Sequence, residues 1–192
     1  MYQDTELWLP SGDCLVHLYE RGRSRRGPSF KISLGDLDVA RCTDLASLPI
    51  DRLVPAAESS PVSAVGAGPR EVYVAAPDDV PPFQWHVTTR NFFAWVTKKP
   101  LVGATLGEAL IDLLDRMQLY RPQADNTGDI LAYVEHMEYL RFDNCPDHAL
   151  ALLRFAEHYQ LEELWIDAFS HCVGMSETLC SSREFDVGIT SV

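Results

Sequence analysis

DHALALLRFAEHYQLEELWIDAFSHCVG, residues 147–174, decides how the rest of this chain is read. Ala149, Leu152, Leu153, Ala156 and Tyr159 recur at helical spacing. After the polar step at Gln160, Leu161, Leu164, Trp165, Ala168, Phe169 and Cys172 do so again. Asn144 is placed to cap the first helix, Pro146 suits its first turn, and Asp147 sits at the positive end of its dipole. Gly174 follows the last periodic residue, where a left-handed C-cap takes glycine. The spacing predicts two short amphipathic helices meeting at Tyr159-Gln160-Leu161, each burying one stripe against another part of the chain.

Working upstream, Asp125-Asn126-Thr127 caps a predicted helix that turns Ile130, Tyr133, Val134 and Met137 inward. Before it, Leu106, Leu110, Leu113, Leu114 and Met117 share one face of a helix that ends ahead of Pro122. His86 to Val96 opens this helical half, and Trp85, Phe92, Phe93 and Trp95 crowd its start. Two readings of those aromatics stay open: core packing, or an anchor for a partner.

The N-terminal half has a different period. Glu6 to Pro10 and Cys14 to Tyr19 read as extended segments around the turn sequence Ser11-Gly12-Asp13. In the second, Cys14, Val16 and Leu18 point one way and Leu15, His17 and Tyr19 the other. Past the basic connection Arg21 to Arg26, Phe30, Ile32 and Leu34 share a face of a strand spanning 29–34. Gly35 to Leu48 is expected as a short helix carrying Leu37, Ala40 and Leu45. Residues 55–69 are rich in Ala, Ser, Pro and Gly and read as a flexible loop, and Glu71 to Ala75 as a third strand. Strands first and helices afterwards predict an α+β fold, a small sheet of three strands packed with a C-terminal helical layer. Residues 1–175 are expected as one domain and 176–192 as a tail with fraying last residues.

Charge and cysteine usage narrow the function classes. The net charge of −12 argues against non-specific binding to nucleic acid or anionic membranes, which both need a basic face. The acidity is concentrated: residues 105–175 hold 13 Asp or Glu against 4 Arg, a balance of −9, whereas residues 1–54 hold 8 against 7. That half is either a solvated surface or an attraction for a basic partner. Five widely spaced cysteines, an odd count, and no signal-like opening point to a reduced intracellular compartment, cytoplasm or nucleus. No apolar run reaches the length a membrane helix needs.

The run ALALLRFAEHYQLEELWIDAFSHCV resembles the end of a BTB/POZ domain, where an apolar-patterned helix runs through a Tyr-Gln-Leu junction into a closing helix. The positions that carry it are Leu152, Leu153, Ala156, Tyr159, Gln160, Leu161 and Leu164. The segment Asn91 to Val96 looks like that fold's earlier helix. The chain is also similar to a group of uncharacterised fungal proteins with a Gly-Asp-Cys-Leu-Val-His opening, an Arg-Asn-Phe-Phe-Ala-Trp segment and the close seen here at 165–175. A BTB-like relation implies a protein-interaction module, often self-associating, without cofactor or catalysis.

Candidate chemistry is sparse. Cys14-x-x-His17 and Cys145-x-x-His148 have spacings known from zinc sites, but strand alternation puts Cys14 and His17 on opposite faces. His136-x-Glu138 lacks the Pro-Cys-x-x-Cys half of a zinc deaminase. Val65-Gly-Ala-Gly68 precedes a strand instead of following one, and no nucleophile elbow or Walker lysine occurs. Cys172 beside His171 reads as a small buried hydrophobe. The run Arg21 to Arg26 is a solvated loop, a nuclear-targeting patch, or a kinase-recognised loop with Ser24 or Ser29 as acceptor. The resulting expectation is a non-catalytic protein-interaction module, self-associating as a homodimer or binding another protein, with no metal or cofactor. Trp85, Phe92, Phe93, Trp95, Tyr159 and Trp165 are its interaction candidates, and the alternative is a zinc protein or enzyme built on the Cys/His pairs.

Overall fold

The computed structural model describes residues 4–23, 26–42 and 69–185. Among these residues three strands and six α-helices follow the predicted order, an α+β fold. The chain divides into two compact units, one formed by residues 1–99 with 118–124 and the other by 100–117 with 125–192.

The first unit is built on the sheet. Its strands are β1 (Cys14–His17), β2 (Phe30–Ile32) and β3 (Arg70–Tyr73), in the order β2-β1-β3. β1 pairs antiparallel with β2, Cys14 opposite Ile32, and parallel with β3, Cys14 opposite Arg70 and His17 opposite Tyr73. The predicted alternation holds: Cys14, Val16 and Leu18 are buried, and Leu15, His17 and Tyr19 are half-buried. Two expectations of strand need correction. Glu6 to Pro10 makes no strand; Trp8 contributes one isolated bridge to Lys31. Leu34 leaves β2 to open helix α1 (Leu34–Val39), where Leu37 is buried as expected and Ala40 is the C-cap. Leu45, the glycines of 65–68 and residues 55–68 of the expected loop lie outside the described residues. At Gly12 a Cβ atom would meet the Ile32 carbonyl oxygen at 2.8 Å, so the turn into β1 requires glycine.

Helix α2 (Pro82–Val96) supplies the core of this unit. Phe93 lies against Phe30 of β2 with ring centroids 5.7 Å apart, and Phe92 meets Tyr120 edge-on at 4.9 Å. Arg90 is buried on the same helix and satisfied by carboxylates: its Nε donates to Asp4 at 2.9 Å and its Nη2 pairs with Glu6. This charge-assisted pair ties the N-terminal segment to the core.

The second unit is helical. Helix α3 (Leu106–Tyr120) buries Leu110, Leu113, Leu114 and Met117 completely, with Leu106 half-exposed at its start. Its last three residues belong to the first unit. Helix α4 (Asn126–His136) is capped as predicted, the Asp125 carboxylate accepting from the Gly128 amide. Ile130, Tyr133 and Val134 are buried, while Met137 is half-buried just past the helix end. Helices α5 (Pro146–Tyr159) and α6 (Glu162–Gly174) match the two predicted helices and pack on each other.

Their caps differ from expectation. Cys145, not Asn144, is the N-cap residue of α5 and makes no side-chain cap bond; Asn144 instead turns the chain at φ 54°. Gly174 continues α6 and the C-cap is Met175 at φ −105°. The left-handed residue is Gln160 at φ 56°, which ends α5 and reverses the chain into α6. Residues 176–185, expected as an unpatterned tail, make a 3-10 turn at Leu179–Ser181 and then bury Ser182 and Glu184.

Candidate interaction surface

Four of the six aromatic candidates belong to the core of the first unit. Phe92 and Phe93 are fully buried, and Trp85 and Trp95 nearly so, with the Arg121 guanidinium 4.8 Å over the Trp95 ring. Core packing is therefore the reading the burial favours. Tyr159 is half-buried and acts through its polar end, where the hydroxyl donates to the Asp115 carboxylate at 2.8 Å and lies 3.1 Å from the Ile111 carbonyl oxygen. That links the end of α5 to α3, and burial together with Asp115 pushes the phenol pKa up.

Trp165 stands on different ground. It is half-buried on α6 and stacks on Phe169, centroids 4.8 Å apart and planes 8° from parallel. Periodicity puts Phe169 in the buried stripe, yet it is 44% exposed. Only Ala168 and Cys172 of that helix are buried. Ile166 is 53% and Val173 59% exposed, so Ile166, Phe169 and Val173 run along α6 at spacings of three and four as an uncovered apolar row. The signal is present in the sequence as a second stripe overlapping the first. Next to the row, Glu162, Glu163 and Asp167 are exposed, and α6 holds no Lys or Arg.

Among the described residues the Cys/His pairs of the metal alternative do not gather into one ligand cluster. Cys14 is buried beneath the sheet, its thiol pushed up to about 11 chiefly by burial, while His17 lies on the other face. There the His17 ring stacks on Tyr73 at 4.4 Å, beside Glu71, and burial lowers its pKa. Cys145 sits at the start of α5, and His148 Nδ1 bonds the Arg141 carbonyl at 3.2 Å. Among the described residues no three His, Cys, Asp or Glu side chains gather as a metal site needs. Cys172 is buried with a raised thiol pKa, as a small hydrophobe would be. On the basic connection, Arg23 pairs with Glu20 at 2.7 Å and Arg26 donates to the Tyr19 hydroxyl at 2.8 Å; Ser24 lies outside the described residues.

Glu184 carries no signal in the sequence, yet it holds a position of its own. Its side chain reaches the N-terminus of α3, where its Oε1 accepts from the Leu106 and Gly107 amides. The backbone of Gly107 is closely approached there: a Cβ would lie 3.0 Å from Glu184 Oε2 and 3.3 Å from the Ala151 backbone, tighter than most such contacts. Burial raises the Glu184 pKa; the two amides and Arg154 oppose that, and Asp147 adds to it. Ser182 donates to Asp147 at the start of α5, so residues 182–184 pin both helices.

Set beside known proteins, residues 127–190 match the model of a family described as a domain of unknown function, DUF8004. The match begins in α4 and includes α5 and α6, and it covers less than half of the chain. No curated protein and no solved structure matches. No helix among the described residues is long and apolar enough to cross a membrane.

Proposed function

We propose that this chain is a non-catalytic protein-interaction module with a BTB-like core, and that α6 is a surface it presents to a protein partner. The observation that carries the reading is the apolar row Ile166, Phe169 and Val173, three large side chains left about half exposed on a well-formed helix. Exposed rows of this kind, rimmed by polar groups, mark protein-binding faces. The BTB-like part of the reading is supported by the order of elements, a β1–β2 hairpin, a short helix, a parallel β3, and a closing helix pair joined at Tyr159-Gln160-Leu161.

The reading is tested by asking whether that row is surface or core. The double variant Ile166→Ser/Phe169→Ser should unfold within about 1 kcal/mol of the parent, as surface changes do. A loss of several kcal/mol in chemical denaturation would place the row in the core and end the proposal. Light scattering during size exclusion, run over a wide concentration range, then decides whether a second copy is among the partners.

A further inference from the structure

We infer that the α6 row seats a basic amphipathic helix of another protein. This rests on the interaction-module reading and gives the partner its chemistry. With 3.6 residues per turn, Ile166, Phe169 and Val173 fall within one narrow arc of α6, while Ala168 and Cys172 turn away into the fold. Side chains at i, i+3 and i+7 are the pattern by which one helix receives another. Trp165, stacked on Phe169, widens the apolar seat on its inner side. On the outer side lie Glu163 and Asp167, one turn apart, and Glu162 stands at the head of the row. His171, the one basic side chain of α6, already has Asp167 at 3.7 Å. A ligand covering the row therefore meets apolar carbon in the middle and carboxylate along one edge and one end.

A second copy of the chain fits that edge poorly. Two α6 helices packed antiparallel about a twofold axis bring their Glu163 and Asp167 rows to the same side, and each chain already carries a net charge of −12. A helix with leucine-like residues on one face and lysine or arginine flanking it meets both features at once. The balance of −9 over residues 105–175 would also steer such a partner, more strongly at low salt.

The test titrates the full chain into three labelled designed peptides and follows fluorescence anisotropy. One is a leucine–lysine amphipathic helix, one its leucine–glutamate counterpart with the same apolar spacing, and one a scrambled leucine–lysine sequence. Binding of the first alone is expected. Phe169→Ser should weaken it about tenfold or more, the scale of an interface anchor. Glu163→Lys/Asp167→Lys, which leaves the apolar row intact, should weaken it several-fold and flatten its salt dependence. Equal binding of the scrambled peptide, equal binding of the glutamate peptide, or no binding at all would each overturn the inference. So would a dimer of the parent that Phe169→Ser dissolves, since the seat would then belong to a second copy; that outcome leaves the interaction-module reading standing.

Discussion

Glu184 shows at the scale of one residue how a buried carboxylate sets a pH response. Its amide partners favour the charged form, but burial outweighs them and its pKa lies above the ordinary glutamate value. A raised folded pKa means that the native state holds its proton more tightly than the unfolded state does. The stabilisation is thus complete below the ordinary value and is lost as pH rises through the folded one. Glu184→Gln keeps the oxygen that accepts from Leu106 and Gly107 and removes the titration. Thermal unfolding measured from neutral to mildly acidic pH should show a flatter rise in midpoint for this variant than for the parent. An unchanged slope would assign the effect to Asp112, whose pKa is also raised, first by burial and then by Asp115 and Glu108. Nothing in the sequence announces Glu184: its partners lie 77 and 78 residues away, and the segment around it has no period to read.

Elements are more legible than their ends. α3, α5 and α6 are fixed by apolar spacing and by Pro122 and Pro146, which are local signals. Caps depend on where the chain must go next, and there residue type alone misleads. Residue type favours glycine for the left-handed position, at 174, but the sharp reversal falls at 160, where α5 must fold back onto α6. A glutamine held at φ 56° pays a steric cost that glycine avoids. Gln160→Gly should accordingly stabilise the chain by about 0.5–1 kcal/mol in urea unfolding. A loss of stability would mean that the Gln160 side chain makes a contact worth more than the relief. The exposed apolar row of α6 behaves in the same way. α6 is apolar on more than one face, and only tertiary neighbours decide that Ala168 and Cys172 go inward while Phe169 stays out.

For the molecule as a whole, the cysteines give a direct check on where its interior lies. Cys14, Cys42 and Cys172 are buried, Cys145 is half-buried and Cys180 is exposed. Burial pushes the Cys42 thiol up to about 12 and that of Cys14 to about 11, so neither supplies thiolate at neutral pH. Alkylation of the native protein, followed by mass spectrometry of its peptides, should label Cys180 first and Cys145 more slowly. The other three should react only with unfolding. Early labelling of Cys14 would contradict the sheet and its covering helix. The order of strands and helices is open to reading from periodicity alone, whereas the parallel placing of β3 beside β1 is not, because pairing partners leave no local mark in short strands.

The bond from Tyr159 to Asp115 also turns one phenol into an optical reporter. Tyrosinate absorbs at longer wavelength than tyrosine, so an alkaline titration counts phenols as they ionise. Tyr159 and Tyr73 are both held back, each by burial and by a neighbouring carboxylate, Asp115 for the first and Glu71 for the second, and Tyr159 keeps its proton while it donates to Asp115. In a Tyr73→Phe background the step of Tyr159 in the absorbance curve therefore times the parting of α5 from α3, in unlabelled protein and without any added dye.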